Sequence, residues 1–180
     1  METPALRLTP VMQKFILHWG EMGTRWGINR TVAQVHALLY LSPKALNAEQ
    51  IARTLSVARS NVSTSLRDLQ GWGVVKVVHL LGDRRDHFES MKDVWEMFQL
   101  ILEERKRREI DPTLTILKGC IDELAKGGPA EAHTRQCLQE MLDFFETMTS
   151  LYQEVHRLPP GAMRRMIRLR GKMRKLLGMG

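Results

Sequence analysis

Apolar residues recur every three to four positions over most of this chain, which is the spacing of one buried face of an α-helix. Thr9 followed by Pro10 is typical of a helix start. A second apolar stripe covers residues 32–39, and Asn47 with Gln50 three residues later has the spacing of a capping box. These patterns predict three amphipathic helices in the first third of the chain.

The next segment, VARSNVSTSLRDL at residues 57–69, combines a helical stripe with many short polar side chains. Val62, Leu66 and Leu69 have the spacing of one buried face. The hydroxyl and amide groups between them compete with the backbone for hydrogen bonds and are more usual in turns and caps. The pattern still predicts a helix. We expect its unusual composition to be explained by the surface that the helix contacts.

After Trp72 the periodicity changes from helical to β. The segment VVKVVHL at residues 74–80 is rich in β-branched residues, HFES at residues 87–90 is a second short strand, and LGDRRD separates them. These three segments predict a β-hairpin.

Helical periodicity returns at Lys92 and predicts helices over 92–110, 112–126 and 130–157, with Pro112 ending the first of them. The predicted fold is therefore mainly α, a winged helix-turn-helix with one β-hairpin wing and a helical dimerisation region. We divide it into an N-terminal dimerisation helix (1–29), a winged helix DNA-binding domain (30–91), a helical dimerisation region (92–158) and a basic C-terminal tail helix (159–180).

Two short helices, a connection of about three residues, a third helix and a hairpin are the parts of a winged helix-turn-helix. If Val62 lies at the centre of the buried face, the 100° step of a helix turns short polar side chains and one arginine outward. Such groups reach phosphates or base edges without holding the helix away from the major groove. An ordinary polar helix face is the alternative, but the capped partner helix and the hairpin favour DNA. The predicted contacts in this helix are Arg59, Ser60, Asn61, Ser63, Thr64 and Arg67.

Residues 46–90 resemble the winged helix of MarR-type regulators, and LQGWGVVKVVHLLGDRRDHFE at residues 69–89 is similar to the GbsR branch of that family. The resemblance implies a dimeric, sequence-specific DNA-binding transcriptional regulator, often a repressor whose DNA affinity changes when a small-molecule effector binds. One departure from the family pattern is Ala58, where such helices commonly have a serine N-cap.

The resemblance also assigns roles in the wing. Asp83, Arg84 and Arg85 match the family's Asp-x-Arg wing tip, so we expect an arginine to enter a narrow minor groove. Asp83 would orient one of the arginines by a charge-assisted hydrogen bond. The alternative is an exposed turn with balanced charges.

A homodimer is expected because two heads related by a two-fold axis read two half-sites about one turn apart. The helix in residues 1–29 and the long helix at 130–157 carry more apolar surface than a small winged helix can cover. The alternative is a monomer in which these helices pack on their own head.

The net charge of +7 belongs to one end of the chain. Eight Lys and Arg residues and no acidic residue lie from Arg157 onward, which leaves about −1 for residues 1–156. The tail is either a short helix packed on the dimerisation region or a basic segment touching DNA or an anionic membrane. No signal peptide or stretch suited to stable membrane insertion is apparent, and two distant cysteines fit the cytoplasm.

No metal-ligand spacing, phosphate-binding loop or nucleophile motif occurs in the sequence, so neither an enzyme nor a cofactor is expected. Trp19, Trp26, Tyr40 and Trp95 suggest an effector pocket, although tryptophan on a helical stripe more often belongs to a core. Two rival functions are a winged-helix protein-interaction module and a membrane-associated adaptor that uses the basic tail. The polar to basic face of the predicted recognition helix favours double-stranded DNA as the partner.

Overall fold

The structure, a computed structural model, describes residues 6–124 and 131–157. The chain divides into two compact units, Met1–Ile101 and Leu102–Gly180, which are described separately below. The tail helix predicted at 159–180 lies outside the described residues. None of the helices in the described ranges has the length and apolar content needed to span a membrane.

The first unit is a winged helix preceded by two helices. Its elements, in chain order, are α1 (Pro10–Arg25), α2 (Arg30–Leu41), β1 (Leu46–Asn47), α3 (Ala48–Leu55), α4 (Arg59–Gly71), β2 (Val75–Val78), β3 (His87–Ser90) and the start of α5 (Val94–Arg105). The predicted fold class is confirmed.

Side-chain caps begin two of these helices as the sequence predicts. The Thr9 hydroxyl accepts from the Met12 amide at 3.2 Å at the start of α1. At α3, Asn47 and Gln50 form both hydrogen bonds of a capping box, each 3.0 Å long. Helix α4 differs, because its N-cap is Ala58 and no side chain bonds to its first turn. The start of α4 therefore lacks a stabilising contact that α3 has.

The sheet has three antiparallel strands in the order β1-β3-β2. The hairpin predicted from the sequence is β2 and β3, with Val77 opposite Phe88 and Lys76 opposite Glu89. Strand β1 adds Leu46 opposite Phe88 on the other side of β3. A strand of two residues has no periodicity to detect, so it was not predicted.

The core of the first unit lies between α2, α3, α4 and the sheet. Val35, Leu38, Ile51 and Val62 are completely or almost completely buried there. Each buried side chain of this size stabilises the fold by roughly 1.5–3 kcal/mol. Helix α1 packs on α2 through Gly23, where an added Cβ would come within 2.6 Å of the Ala33 Cβ, so this close approach requires glycine.

The second unit continues α5 and adds a π-helical turn (Lys106–Ile110), α6 (Asp111–Leu124) and α7 (Ala132–His156). Pro112 was expected to stop a helix, and this expectation was wrong, because helical backbone runs from α5 through the π-helical turn into α6. A proline inside an α-helix removes one backbone hydrogen bond and clashes with the preceding turn. The wider π-helical turn directly before Pro112 changes the hydrogen-bond pattern at this point.

Few apolar residues in the described part of the second unit are fully buried, and several large ones are exposed. Leu117 and Leu142 are buried, whereas the exposed group, between 48% and 67% accessible, comprises Ile116, Met141, Phe144, Met148 and Leu151. A polar pair, the Tyr152 hydroxyl donating to the Glu103 carboxylate at 2.8 Å, joins α7 to α5. Burial and this carboxylate raise the pKa of Tyr152 above its usual range.

Candidate nucleic-acid interface

Helix α4 is held against the core by its back face. A left-handed residue, Ser56 with φ 55°, ends α3, and the Val57 amide donates to the Ala52 carbonyl at 3.1 Å. Val62, Leu66 and Leu69 are buried, as the sequence predicts. Ser65 is buried with them, and its hydroxyl donates to the Asn61 carbonyl at 2.7 Å. Small polar residues in α4 thus divide into one that bonds inside the helix and several that face solvent.

The residues predicted to meet DNA are all exposed, but they lie in two groups. A surface cleft of about 370 Å³ lies beside the start of α3, α4 and the wing, and we call it the α4–wing cleft. It is lined by Arg59, Ser63 and Arg67 of α4 and by Arg85 of the wing. The other predicted positions are exposed without lining the cleft; they are Ser60, Asn61, Thr64 and Arg84.

The wing arginine in the cleft is held by Asp83. The Arg85 guanidinium donates to the Asp83 carboxylate through Nε at 2.9 Å and Nη2 at 2.6 Å, and the Arg85 amide donates to Oδ1 at 3.0 Å. These hydrogen bonds hold the pKa of the Asp83 carboxyl well below its usual range, and the pKa of Arg85 is raised. Asp83 therefore contacts Arg85, and Arg84 is exposed beside the pair.

His87 supports this arrangement from inside the wing. Its ring is buried, with Nδ1 3.0 Å from the Arg85 carbonyl and Nε2 3.6 Å from the Asp83 carboxylate. The backbone at Arg85 is therefore tied to a buried side chain, which limits how far Arg85 can move.

The winged-helix geometry agrees with comparisons to known proteins. Residues 26–86 match the model of the MarR family. Those residues are a MarR-family winged helix. The chain is also 22% identical over 125 residues to the HTH-type transcriptional repressor GbsR of Bacillus subtilis (strain 168), covering 69% of each protein. A solved structure described as a transcriptional regulator is 21% identical with a TM-score of 0.65, covering 82% of this chain and 96% of that one, and it shows the same fold.

Residues 26–86 thus belong to the MarR family, a class of DNA-binding transcriptional regulators without enzymatic activity. Within residues 6–124 and 131–157, no cluster of His, Cys, Asp and Glu side chains is arranged to hold a metal ion. Both cysteines, Cys120 and Cys137, are free.

The charged residues around the α4–wing cleft are both acidic and basic. Glu49 and Asp86 line it together with the three arginines. Glu49 accepts from Arg53 at 2.8 Å, and Asp86 lies 3.8 Å from the His79 imidazole. Since Glu49 has a cationic partner, it opposes the approach of phosphate less than an isolated carboxylate would.

The cleft also contains polar residues that were not predicted, Asn47 and Gln70. Gln70 follows Ser63 by seven positions and Arg67 by three, so helical spacing places it on the same face. Extending the stripe from Ser63 by one more turn would have found it. Asn47 was recognised as a helix cap, but its position at the cleft depends on how α3 packs beside the wing.

A second cavity of about 250 Å³ lies inside the first unit, and we call it the aromatic cavity. Trp19 and Trp26, both predicted to line an effector pocket, do line it, and Trp72 is a third aromatic wall. Tyr40 and Trp95 do not line it. Tyr40 instead lies under the Lys92 ammonium, 5.6 Å from Nζ, and the Trp95 amide is capped by Asp93. The prediction grouped these four residues because all are aromatic, whereas the packing of the helices places only Trp19 and Trp26 at the cavity.

His36 is the titratable side chain that lines the aromatic cavity. It is 5% exposed, and its Nε2 has no hydrogen-bond partner in the described residues. Burial, with a smaller contribution from the positive charge of Lys92, lowers the pKa of His36 to about 4. The imidazole is therefore neutral at physiological pH.

Lys92 links the end of the wing to the end of α2. Its ammonium group donates to the carbonyls of Leu39, Tyr40 and Ser42 at 2.9, 2.6 and 3.0 Å. A cation is favourable at the C-terminus of a helix because the last carbonyls lack backbone partners. Burial lowers the pKa of Lys92, opposed by the nearby Glu89 charge.

Proposed function

We propose that the whole protein is a MarR-type homodimeric repressor that binds an operator through α4 and the wing and releases it when a small-molecule effector binds. Helix α4 would enter the major groove, and wing arginines would reach the flanking minor groove. The observation that carries the proposal is the α4–wing cleft, where Arg59, Ser63 and Arg67 stand beside Arg85, which Asp83 holds in place.

The two sets of exposed α4 residues suit different contacts. Within the described residues, no hydrogen bond or ion pair engages the Arg59 and Arg67 side chains, so both are available to phosphates or guanine edges. Ser60, Asn61 and Thr64 are short, exposed groups suited to base edges or nearby phosphates. We assign the arginines of the cleft mainly to affinity and Thr64 mainly to sequence preference.

DNA binding is tested by fluorescence anisotropy with a duplex from the protein's own upstream region, titrated at several salt concentrations. Arg85→Ala should weaken binding to most sequences and reduce the salt slope by about 1, because one cationic group is removed from the DNA interface. Thr64→Ala should change the preference among operator variants more than the affinity for non-specific DNA. Arg25→Ala, an exposed arginine at the end of α1, is the matched control and should bind as wild type does.

Asp83→Asn separates the orientation of Arg85 from its charge. The substitution makes the wing more positive but weakens the paired hydrogen bonds that hold the guanidinium. If orientation matters, operator binding weakens despite the added positive charge. Tighter binding by Asp83→Asn, or wild-type binding by both Arg85→Ala and Thr64→Ala, would show that the site assignment is wrong.

The proposed dimer is supported by an apolar stripe on α7. Met141, Phe144, Met148 and Leu151 follow the a/d spacing of a helix that packs on another helix, and each is between 48% and 59% exposed. We assign this stripe to contact with a second copy of the chain. The dimerisation role of residues 1–29 remains part of the proposal; in α1, Val11 and Leu17 are 77% and 60% exposed.

Sedimentation equilibrium of the full chain tests the dimer. Phe144→Asp should shift the protein toward monomer because it buries a charge in the proposed interface. Ser150→Asp adds the same charge at an exposed polar position of the same helix and should leave the dimer intact. A monomeric wild-type protein, or a dimer that tolerates both substitutions equally, would contradict the assignment.

Repression is proposed because the Bacillus subtilis relative is named a transcriptional repressor. A reporter fused to the protein's own upstream region should increase in expression when the gene is deleted, in the cytoplasmic setting that we propose. A decrease would identify an activator. Relief by an effector requires a ligand that binds the DNA-free state more tightly, and the aromatic cavity is the proposed site.

A further inference from the structure

We infer that the wing also carries an apolar wedge: the Leu81 side chain at its tip enters the minor groove of DNA and opens a base step there. This inference deepens the proposed function and rests on it, because it concerns how the same wing contacts DNA. It is carried by the exposure of Leu81, by the turn that presents it and by the charge beside it. The arginines account for the positive charge of the wing, but they leave this leucine without a role.

Leu81 is the most exposed large apolar side chain in the described part of the chain, with a relative accessibility of 108%. Leu80 beside it is 44% exposed, so two adjacent leucines stand at the tip of the hairpin. Single apolar residues on a protein surface are ordinary. A leucine with none of its surface covered, next to a second exposed leucine, leaves apolar area in water that a partner can bury.

The turn that presents Leu81 requires a glycine but not a leucine. The Asp83 amide donates to the Leu80 carbonyl at 3.1 Å, which makes residues 80–83 a β-turn with Leu81 at its second position. Gly82 follows with φ 81°, and a positive φ at the third position is what a type II turn requires. The second position of such a turn has no need of an apolar side chain. The reason for leucine therefore lies in what its side chain contacts.

Hydrogen bonds hold the tip of the wing in one conformation. Asp83 forms the turn through its amide, and its carboxylate accepts from the Arg85 guanidinium at 2.6 Å. The Arg85 carbonyl lies 3.0 Å from Nδ1 of the buried His87 ring. The backbone at Leu81 is thus arranged before DNA binds, so inserting its side chain costs less conformational entropy than ordering a flexible loop.

The charge beside Leu81 favours the minor groove over a purely apolar partner. Arg84 is exposed, and within the described residues no hydrogen bond or ion pair engages its side chain. Proteins that bind the minor groove place cationic side chains in its negative potential and apolar side chains against its base pairs. Arg85 is held by Asp83 and lines the α4–wing cleft. Arg84 is therefore the cation that accompanies Leu81 at the tip.

A leucine in the minor groove changes the stacking of the DNA. Apolar side chains that enter this groove commonly insert between neighbouring base pairs, partly unstack them and kink the duplex. Unstacking is easiest at the flexible pyrimidine–purine steps, TA and CA/TG. Leu81 therefore predicts a preference for such a step in the DNA beneath each wing, without a hydrogen bond to a base.

Permanganate footprinting tests the wedge, because permanganate oxidises thymines that are unstacked. The full-length protein is bound to a duplex from its own upstream region, and DNase I protection locates the site and measures the affinity. Wild type should make a thymine hyperreactive at a pyrimidine–purine step near each edge of the protected region. Leu81→Ala should protect the same region with about tenfold weaker affinity, because an apolar contact is lost, and should remove the hyperreactivity.

Three further variants separate the wedge from charge and from surface leucine in general. Leu81→Met keeps a long apolar side chain and should keep the hyperreactive thymine. Leu81→Lys adds a cation, so it should bind non-specific DNA more tightly but leave the step stacked. Ile116→Ala removes as many carbons from an α6 side chain that is 67% exposed, and it should behave as wild type does.

A change in the DNA tests the same contact from the other side. Replacing the reactive pyrimidine–purine step by the stiffer step AA should weaken wild-type binding by about fivefold. The same replacement should affect Leu81→Ala much less, because that variant does not open the step. The two effects are coupled only if leucine and base step interact in the complex.

The inference is overturned if wild type protects the DNA but makes no thymine hyperreactive, or if Leu81→Ala keeps the hyperreactive thymine. It is also overturned if Leu81→Ala binds DNA as wild type does but loses binding to vesicles of phosphatidylglycerol, which would assign the leucine to an anionic bilayer. In each of these outcomes, protection by wild type leaves the proposed DNA-binding function standing. If wild type protects no DNA, the proposed function and the wedge fail together.

Discussion

The winged first unit and the helical second unit use apolar residues in opposite ways. Among the described residues, nearly all of the buried hydrophobic side chains lie in the first unit, and Leu117 and Leu142 are the exceptions. In the second unit, α7 presents apolar side chains to solvent at helical spacing. The first unit has a core of its own, whereas the second has a surface suited to another helix. The difference separates residues that stabilise the winged first unit, which we call the head, from residues that we assign to dimerisation.

The largest expected effect tests that separation with one substitution in each unit. Leu38→Ala in α2 should lower the free energy of unfolding by about 2–5 kcal/mol, because the side chain is fully buried and a cavity remains. Leu151→Ala in α7 removes the same atoms from a side chain that is 57% exposed and should change head stability little.

Urea unfolding followed by tryptophan fluorescence measures the head alone, since all four tryptophans lie in the first unit. Equal losses from the two substitutions would contradict the distinction between the units. Leu151→Ala should instead weaken the dimer when measured by sedimentation.

The next effect depends on pH and concerns His36. The unfolded chain binds a proton near pH 6.5, but the folded chain does so only near pH 4, since burial lowers the pKa of His36 to about 4. Between these values the unfolded state binds more protons, so head stability falls as the pH is lowered through this window. The loss from this one group is about 3 kcal/mol.

His36→Leu should remove that part of the pH dependence between pH 7 and pH 4. His133→Leu, at an exposed position of α7, is the control in the second unit and should leave the profile unchanged. Parallel profiles for wild type and His36→Leu would show that His36 is protonated normally in the folded head.

The smallest effect is a gain in stability at the start of α4. Ala58 already has the extended backbone of an N-cap, with φ −62° and ψ 140°, but no side-chain hydrogen bond. Ala58→Ser should therefore add a cap and raise the free energy of unfolding of the head by about 1 kcal/mol. The dimerisation constant should not change. A loss of stability would show that the serine cannot form the cap in this turn.

Much of the head could be predicted from local patterns. The stripe of Val62, Leu66 and Leu69 places α4 against the core, and the β-branched run and the turn at Asp83 place the hairpin. These features depend on neighbouring residues in the chain, so a sequence carries them directly. The missing cap at Ala58 was visible for the same reason.

Other features could not be predicted from the sequence patterns. Pro112 was expected to end a helix, but the adjoining π-helical turn lets helical structure continue. Tyr40 and Trp95 were grouped with Trp19 and Trp26, but they do not line the aromatic cavity, whereas Trp72 does. The sequence did not single out His36, because its unusual property is that it is buried with no hydrogen-bond partner for Nε2 among the described residues.

The sequence by itself determined most of the helices, the two strands of the hairpin, which side of α4 is buried and which residues form the wing tip, since these follow from spacing within a few turns of chain. Tertiary structure decided which polar residues share one cleft and which aromatic residues share one cavity. It also decided that His36 is neutral, because desolvation and the field of Lys92 arise only when distant segments pack together.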